Sequence, residues 1–154
     1  MKTMLPLLTL LLLAPAWAQS AADQVAVKDA MVRQVPPGTT ITGAFMVLHN
    51  QGRKDVELVK AESTVAKSTE LHNHINDGGV MRMRPVKAIP IKAGGEAALK
   101  PGGYHVMLIG LNASLKEGET VNITLGFADG SSKVVEARVQ KPMMADHGKH
   151  HHKH

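Results

Sequence analysis

Three short stretches of the chain concentrate the side chains that could do chemistry. Glu70-Leu71-His72-Asn73-His74-Ile75 carries two imidazoles, Val80-Met81-Arg82-Met83-Arg84 two thioethers, and Tyr104-His105-Val106-Met107-Leu108 one of each. In an extended strand successive side chains point to opposite faces. His72 then shares a face with His74, Met81 with Met83, and His105 with Met107, so each strand presents two metal-capable donors on one side. Thioether sulfur is a soft, neutral donor and imidazole a borderline one. Together they suit Cu(I), whereas Zn(II), Ca(II) and Mg(II) sites favour thiolate, imidazole or oxygen. A thioether does not titrate and is not lost to disulfide formation, so such a donor set fits copper held in oxidising surroundings. The ordinary reading of a methionine on a strand is core filler. It is the reading for Met31 and Met46, while His49, beside Asn50 at a strand end, reads as a turn residue.

The elements that must position these donors are short and regularly spaced. Alternating runs predict strands at Val25–Arg33, Thr42–His49, Val56–Ala61, Thr69–Ile75, Val80–Pro85, Glu96–Leu99, Tyr104–Leu108, Thr120–Phe127 and Lys133–Val139. Gly- and Pro-containing breakers separate them, which points to an all-β sandwich or barrel. Asp77-Gly78-Gly79 predicts a hairpin that makes the His72/His74 and Met81/Met83 strands neighbours. Leu111–Lys116 could make a single helical turn.

The chain has 154 residues, 44% hydrophobic and 20% charged, with nine Met and no Cys. That is one domain with a real core and too few charges for a disordered polyelectrolyte. The absence of cysteine excludes a disulfide framework, a thiolate nucleophile and a blue-copper site with its thiolate ligand. Residues 1–18 read as a secretory signal peptide: Lys2, an apolar run from Leu5 to Leu13, and Ala16-Trp17-Ala18 as the cleavage site. The leader holds neither a lipidation cysteine nor a twin arginine, so export is expected to proceed unfolded, with metal loaded afterwards. Cleavage leaves 136 residues with a net charge of +4, all nine His, seven Met and three aromatics. That balance is a poor nucleic-acid signature, and no later segment is long enough to span a bilayer. The expected organisation is a β domain over residues 19–140 and a tail over residues 141–154. The tail holds Met143, Met144, His147, His150, His151, His152 and His154, a metal-binding composition. Imidazole-rich ligation there suits Cu(II), or Zn(II), rather than Cu(I) alone.

ELHNHINDGGVMRMRPV followed by LKPGGYHVMLIGL resembles the periplasmic copper chaperones of the PCu(A)C type. The family pattern is a His, ten residues, a Met, twenty-one residues, then His-x-Met, and His72, Met83, His105 and Met107 match it at every point. The resemblance covers residues 25–139. It implies a cupredoxin-like Greek-key β-sandwich of eight or nine strands, with Cu(I) held by those four residues in a monomeric periplasmic carrier. It also implies delivery of copper to the oxidase subunit that bears a respiratory copper site, with a thioredoxin-like copper protein as a further partner. Many members have a Met soon after the first His. Here Asn73 and His74 stand there, which makes His74 a candidate accessory ligand, and Met81 lies outside the four-point pattern as a second candidate.

Two other classes are open on the sequence. Copper storage or resistance would use the same ligands. A copper-dependent oxidase would need an open position for oxygen, which thioether-rich ligation disfavours. A hydrolase is excluded by the settings of Ser63, Ser68, Ser114, Ser131 and Ser132, none of which lies in a nucleophile motif.

Overall fold

In the computed structural model, which describes residues 18–142, ten strands and one short helix account for the regular structure. The helix α1 is Ala21–Gln24, and the strands are β1 (Val25–Arg33), β2 (Ile41–Asn50), β3 (Val56–Glu62), β4 (Ala66–Asp77), β5 (Val80–Pro85), β6 (Ile89–Ile91), β7 (Glu96–Leu99), β8 (His105–Leu111), β9 (Thr120–Phe127) and β10 (Ser132–Gln140). Hydrogen bonding runs in the order β5-β4-β8-β2-β1-β10-β9-β3-β6, with β7 alongside β2. Leu48, Leu71, Val106 and Leu108 of the first half share one buried cluster with Leu58, Ile123, Leu125 and Ala137 of the second. The path therefore folds over at the β1–β10 step, and the two halves face one another as a sandwich.

All nine expected strands form, and β6 is additional. Its sequence, Ile89-Pro90-Ile91, is three residues long with a proline at its centre, a pattern that argues against a strand. The proline is tolerated because β6 ends the sheet path and pairs only with β3, so one side of it needs no ladder donor. Helix α1 is too short to show a period. A capping box holds it instead: Ser20 Oγ accepts from the Asp23 N–H, and the Asp23 carboxylate takes the Ser20 N–H. The helical turn expected within Leu111–Lys116 does not form. Leu111 N–H donates to the Thr40 carbonyl and Asn112 N–H to that of Val65, so the backbone there is committed to neighbouring segments.

Two further expectations are corrected. His49 lies inside β2, opposite Ala26 and Glu96, because Asn50 rather than His49 closes the strand. Asn50 is fully buried, with its side-chain N–H groups donating to the Lys54 and Ile91 carbonyls. Met46 is core at 1% exposure, but Met31 is only half-buried and lies on the outer face opposite Phe45. The cause is a β-bulge in β1 between Lys28 and Met31, where Asp29 adopts a φ of 53°. An extra residue reverses the alternation, so Val25 and Val27 pair with the inward residues of β2, but beyond the bulge Val32 points in and Met31 out.

Candidate metal centre

The donors gather on the outer face of three adjacent strands, β5, β4 and β8. The β4–β5 hairpin closes through Gly78 and Gly79, both with positive φ (61° and 88°), which a two-residue turn of this hand requires. Asn76 Oδ1 accepts the Gly79 N–H at 2.8 Å. This turn sets the register that puts His74 directly opposite Met83 and Asn76 opposite Met81. On the other side of β4, His72 stands opposite His105 and Glu70 opposite Met107. Residues directly opposite share a face, so the alternation read from the sequence brings all three donor pairs together.

The imidazoles cluster around His105. Its ring centroid lies 5.7 Å from that of His72, 5.4 Å from that of His74 and 6.2 Å from that of Phe45. Beside them opens a cleft of about 360 Å³, lined among others by Arg33, Phe45, His74, Met83, His105 and Met107. Phe45 is buried although it points outward, because Arg33 covers it with its guanidinium carbon 5.0 Å from the ring centroid. Gly43, opposite Met107, leaves room for that ring: a Cβ there would lie 3.0 Å from the Phe45 Cζ. Neither Phe45 nor Arg33 was singled out from the sequence. The only signal was parity, since Phe45 breaks the inward Thr42, Ala44, Met46 alternation.

Each imidazole keeps a nitrogen free. His105 Nδ1–H donates to the Gly103 carbonyl at 3.0 Å, which leaves the Nε2 lone pair available. His72 Nε2 lies 2.7 Å from Glu70 Oε2, so that nitrogen carries the proton and Nδ1 holds the lone pair. Among the described residues the buried side-chain nitrogen or oxygen atoms without a hydrogen-bond partner are His72 Nδ1 and His74 Nδ1. Buried polar atoms are rarely left unpaired, and two such imidazole nitrogens beside His105 are what a soft cation would satisfy. No three His, Cys, Asp or Glu side chains among the described residues are grouped to hold an ion, while Met83 and Met107 line the same cleft as His74 and His105.

Burial lowers the His105 pKa from 6.5. Nearby His72, His74 and Arg33 push it the same way, against the Gly103 hydrogen bond. The ring is thus neutral near pH 7, the form that ligates a metal. The same shift has a consequence for the metal-free protein. Below about pH 6.5 an unfolded chain protonates His105 while the folded one resists, so the unfolded state binds more protons and stability falls with pH. The loss should begin near pH 6.5 and end once the pH passes below the folded-state value. Urea unfolding of the metal-free wild type beside His105→Asn, at pH 7.5 and 5.5, should show the steeper loss in the wild type.

The structure sets the residues singled out from the sequence at different depths. Met83, His105 and Met107 line the cleft, but the imidazole that lines it from β4 is His74, while His72 sits deeper at 9% exposure. Met81 is 57% exposed and lies further towards the hairpin turn, opposite Asn76. Met143, Met144, His147, His150, His151, His152 and His154 lie outside the described residues, as does nearly all of the expected signal peptide.

The chain resembles known proteins at both levels. The family model described as "Putative lipoprotein LpqE-like" matches residues 25–139. A Leifsonia xyli subsp. xyli protein named "Putative lipoprotein Lxx21020" is 38% identical over 130 residues, covering 82% of this chain and 77% of its own. Among solved structures, apo-DR1885 from Deinococcus radiodurans is 38% identical, with a TM-score of 0.63 over 93% of this chain and 98% of that one. The same protein has been solved with Cu(I), at a TM-score of 0.62 over 80% and 82% of the two chains. The copper-bound PCuAC domain from PmoF2 superposes with a TM-score of 0.67 over 80% of this chain and 97% of that domain. At 20% identity it shows the shared cupredoxin-like sandwich alone. On the match over residues 25–139, the chain belongs to the LpqE-like family.

Proposed function

We propose that this protein is an exported copper(I) chaperone whose folded site uses His72, Met83, His105 and Met107, with His74 and Met81 as accessory donors. The observation that carries this reading is the cleft in which thioethers of two strands meet a neutral, buried imidazole with its Nε2 lone pair free. That donor set stabilises the cuprous state and has no carboxylate-rich cage for a hard ion. The 38% identity to a Deinococcus protein solved with Cu(I) supports it. A carrier needs no turnover, and we read the protein as a non-enzyme. In this reading copper passes to the oxidase subunit bearing a respiratory copper site, with a thioredoxin-like copper protein as a second partner.

The leader at residues 1–18 would direct the chain to the periplasm. The family's description names a lipoprotein, but this sequence contains no cysteine to carry a lipid. Among the described residues no helix is long and apolar enough to cross a membrane. The tail at residues 141–154 would capture Cu(II), and it starts next to the site: Gln140 stands opposite Arg33, which lines the cleft.

A paired titration tests both parts. Against a chromophoric Cu(I) competitor under anaerobic conditions, the full mature chain and a chain ending at Gln140 should each retain one Cu(I). With Cu(II), only the full chain should bind additional equivalents. No Cu(I) retention would remove the folded-site reading, and unchanged Cu(II) stoichiometry would remove the tail's role.

A further inference from the structure

Resting on the copper-carrier reading, we propose that His72 and His74 are alternate ligands, so that the ion moves from a buried position on His72 to a solvent-side position on His74 as it leaves. Both rings lie at nearly the same distance from His105, 5.7 and 5.4 Å between centroids, and both have a buried Nδ1 with no partner. No grouping of three His or acidic side chains forms among the described residues. His72 stands opposite His105 and His74 one pair further along β4, opposite Met83, so the two rings offer an ion shared with His105 two successive positions.

The two positions differ in surroundings. His72 is 9% exposed, opposite His105, and Glu70 fixes its tautomer, which makes it the resting ligand. His74 lines the open cleft opposite Met83, which is 42% exposed on β5, a strand exposed along its whole length. The His74 Nδ1 is itself covered, but its ring and Met83 border the open cleft, so an ion passed to them stands nearer an incoming donor than one held on His72. In the exchange step the copper–nitrogen bond to His72 breaks as the bond to His74 Nδ1 forms. Both imidazoles remain neutral and copper remains cuprous, so no oxidant or reductant takes part. His74 thereby lowers the barrier to transfer while adding little to the resting affinity, the property a carrier needs and a store does not.

The test separates equilibrium from rate in the mature protein loaded with one Cu(I). Affinity is measured by competition, and transfer by stopped-flow mixing with excess chromophoric chelator. His72→Ala should weaken binding by about tenfold or more. His74→Ala should weaken binding much less than His72→Ala, by about threefold, yet slow transfer by about tenfold, equivalent to 1.4 kcal/mol of barrier. His74→Met, which restores a soft donor at the same place, should recover the rate, something a merely structural role for His74 would not produce. Loss of affinity in His74→Ala equal to that in His72→Ala would overturn the proposal in favour of a static ligand. Unchanged affinity and rate would overturn it in favour of a bystander. A wild-type chain that binds no Cu(I) would instead remove the carrier reading beneath it.

Discussion

Cu(I) affinity is expected to fall by about 100-fold when His105 is replaced with alanine, the largest loss for any single donor. His105 is the imidazole common to both groupings, near His72 on one side and His74 on the other. It is 3% exposed, and the Gly103 carbonyl holds its Nδ1–H so that Nε2 is free. This ring needs little reorganisation to bind, so its loss removes both a donor and the preorganisation that makes that donor effective. His72 and His74 can each cover for the other to some degree, and nothing covers for His105. The measurement is anaerobic competition with a chromophoric chelator, referred to the folded fraction because the substitution also leaves space beneath Phe45. An affinity within threefold of wild type would place the ion elsewhere.

The second large effect concerns stability rather than binding. Leu108→Ala should cost about 3 kcal/mol, within the range for deleting a buried leucine and leaving a partly relaxed cavity. Leu108 is completely buried on the inward face of β8, between Thr42 of β2 and Thr69 of β4. Marginal domain stability makes that a large share of the total. For a domain of this size it corresponds to a fall in melting temperature of roughly 10 °C, readable by circular dichroism on the metal-free protein. Cu(I) affinity at a temperature where the variant is folded should change little, since His105 and Met107 point the opposite way. A variant that melts with the wild type would mean the core repacks around the loss.

Most of the site was legible because it rests on period-two alternation and on one tight turn. The Asp77-Gly78-Gly79 signal defines the hairpin, and alternation then puts His74 opposite Met83 without further information. What stayed hidden depends on events that alternation does not encode. Met31 leaves the core because a bulge at Asp29 reverses parity partway along β1, and nothing in Lys28-Asp29-Ala30 announces a positive φ. β6 is not legible in the sequence because Pro90 is acceptable only on an unpaired edge, a property of the whole sheet order. The relative depth of His72 and His74 was also invisible, since both obey the same face rule. Their difference arises from neighbours: His72 has His105 opposite and Glu70 on its Nε2, whereas His74 has the exposed Met83.

The parallel pairing of β1 with β10 governs when the donor-bearing sheet is complete. Met31 stands opposite Arg138, more than a hundred residues later, so closing this step carries a high loop-closure cost and comes late in folding. A chain emerging amino end first exposes the free edge of β1 until β10 arrives, an invitation to wrong pairings meanwhile. The β4–β5 hairpin is local and can form early, but β8 reaches its place beside β4 only as the sheet assembles. Scattered thioethers and imidazoles on a nascent chain would hold copper loosely. The donor set is complete only once the whole chain has folded, so any selectivity it has belongs to the finished fold.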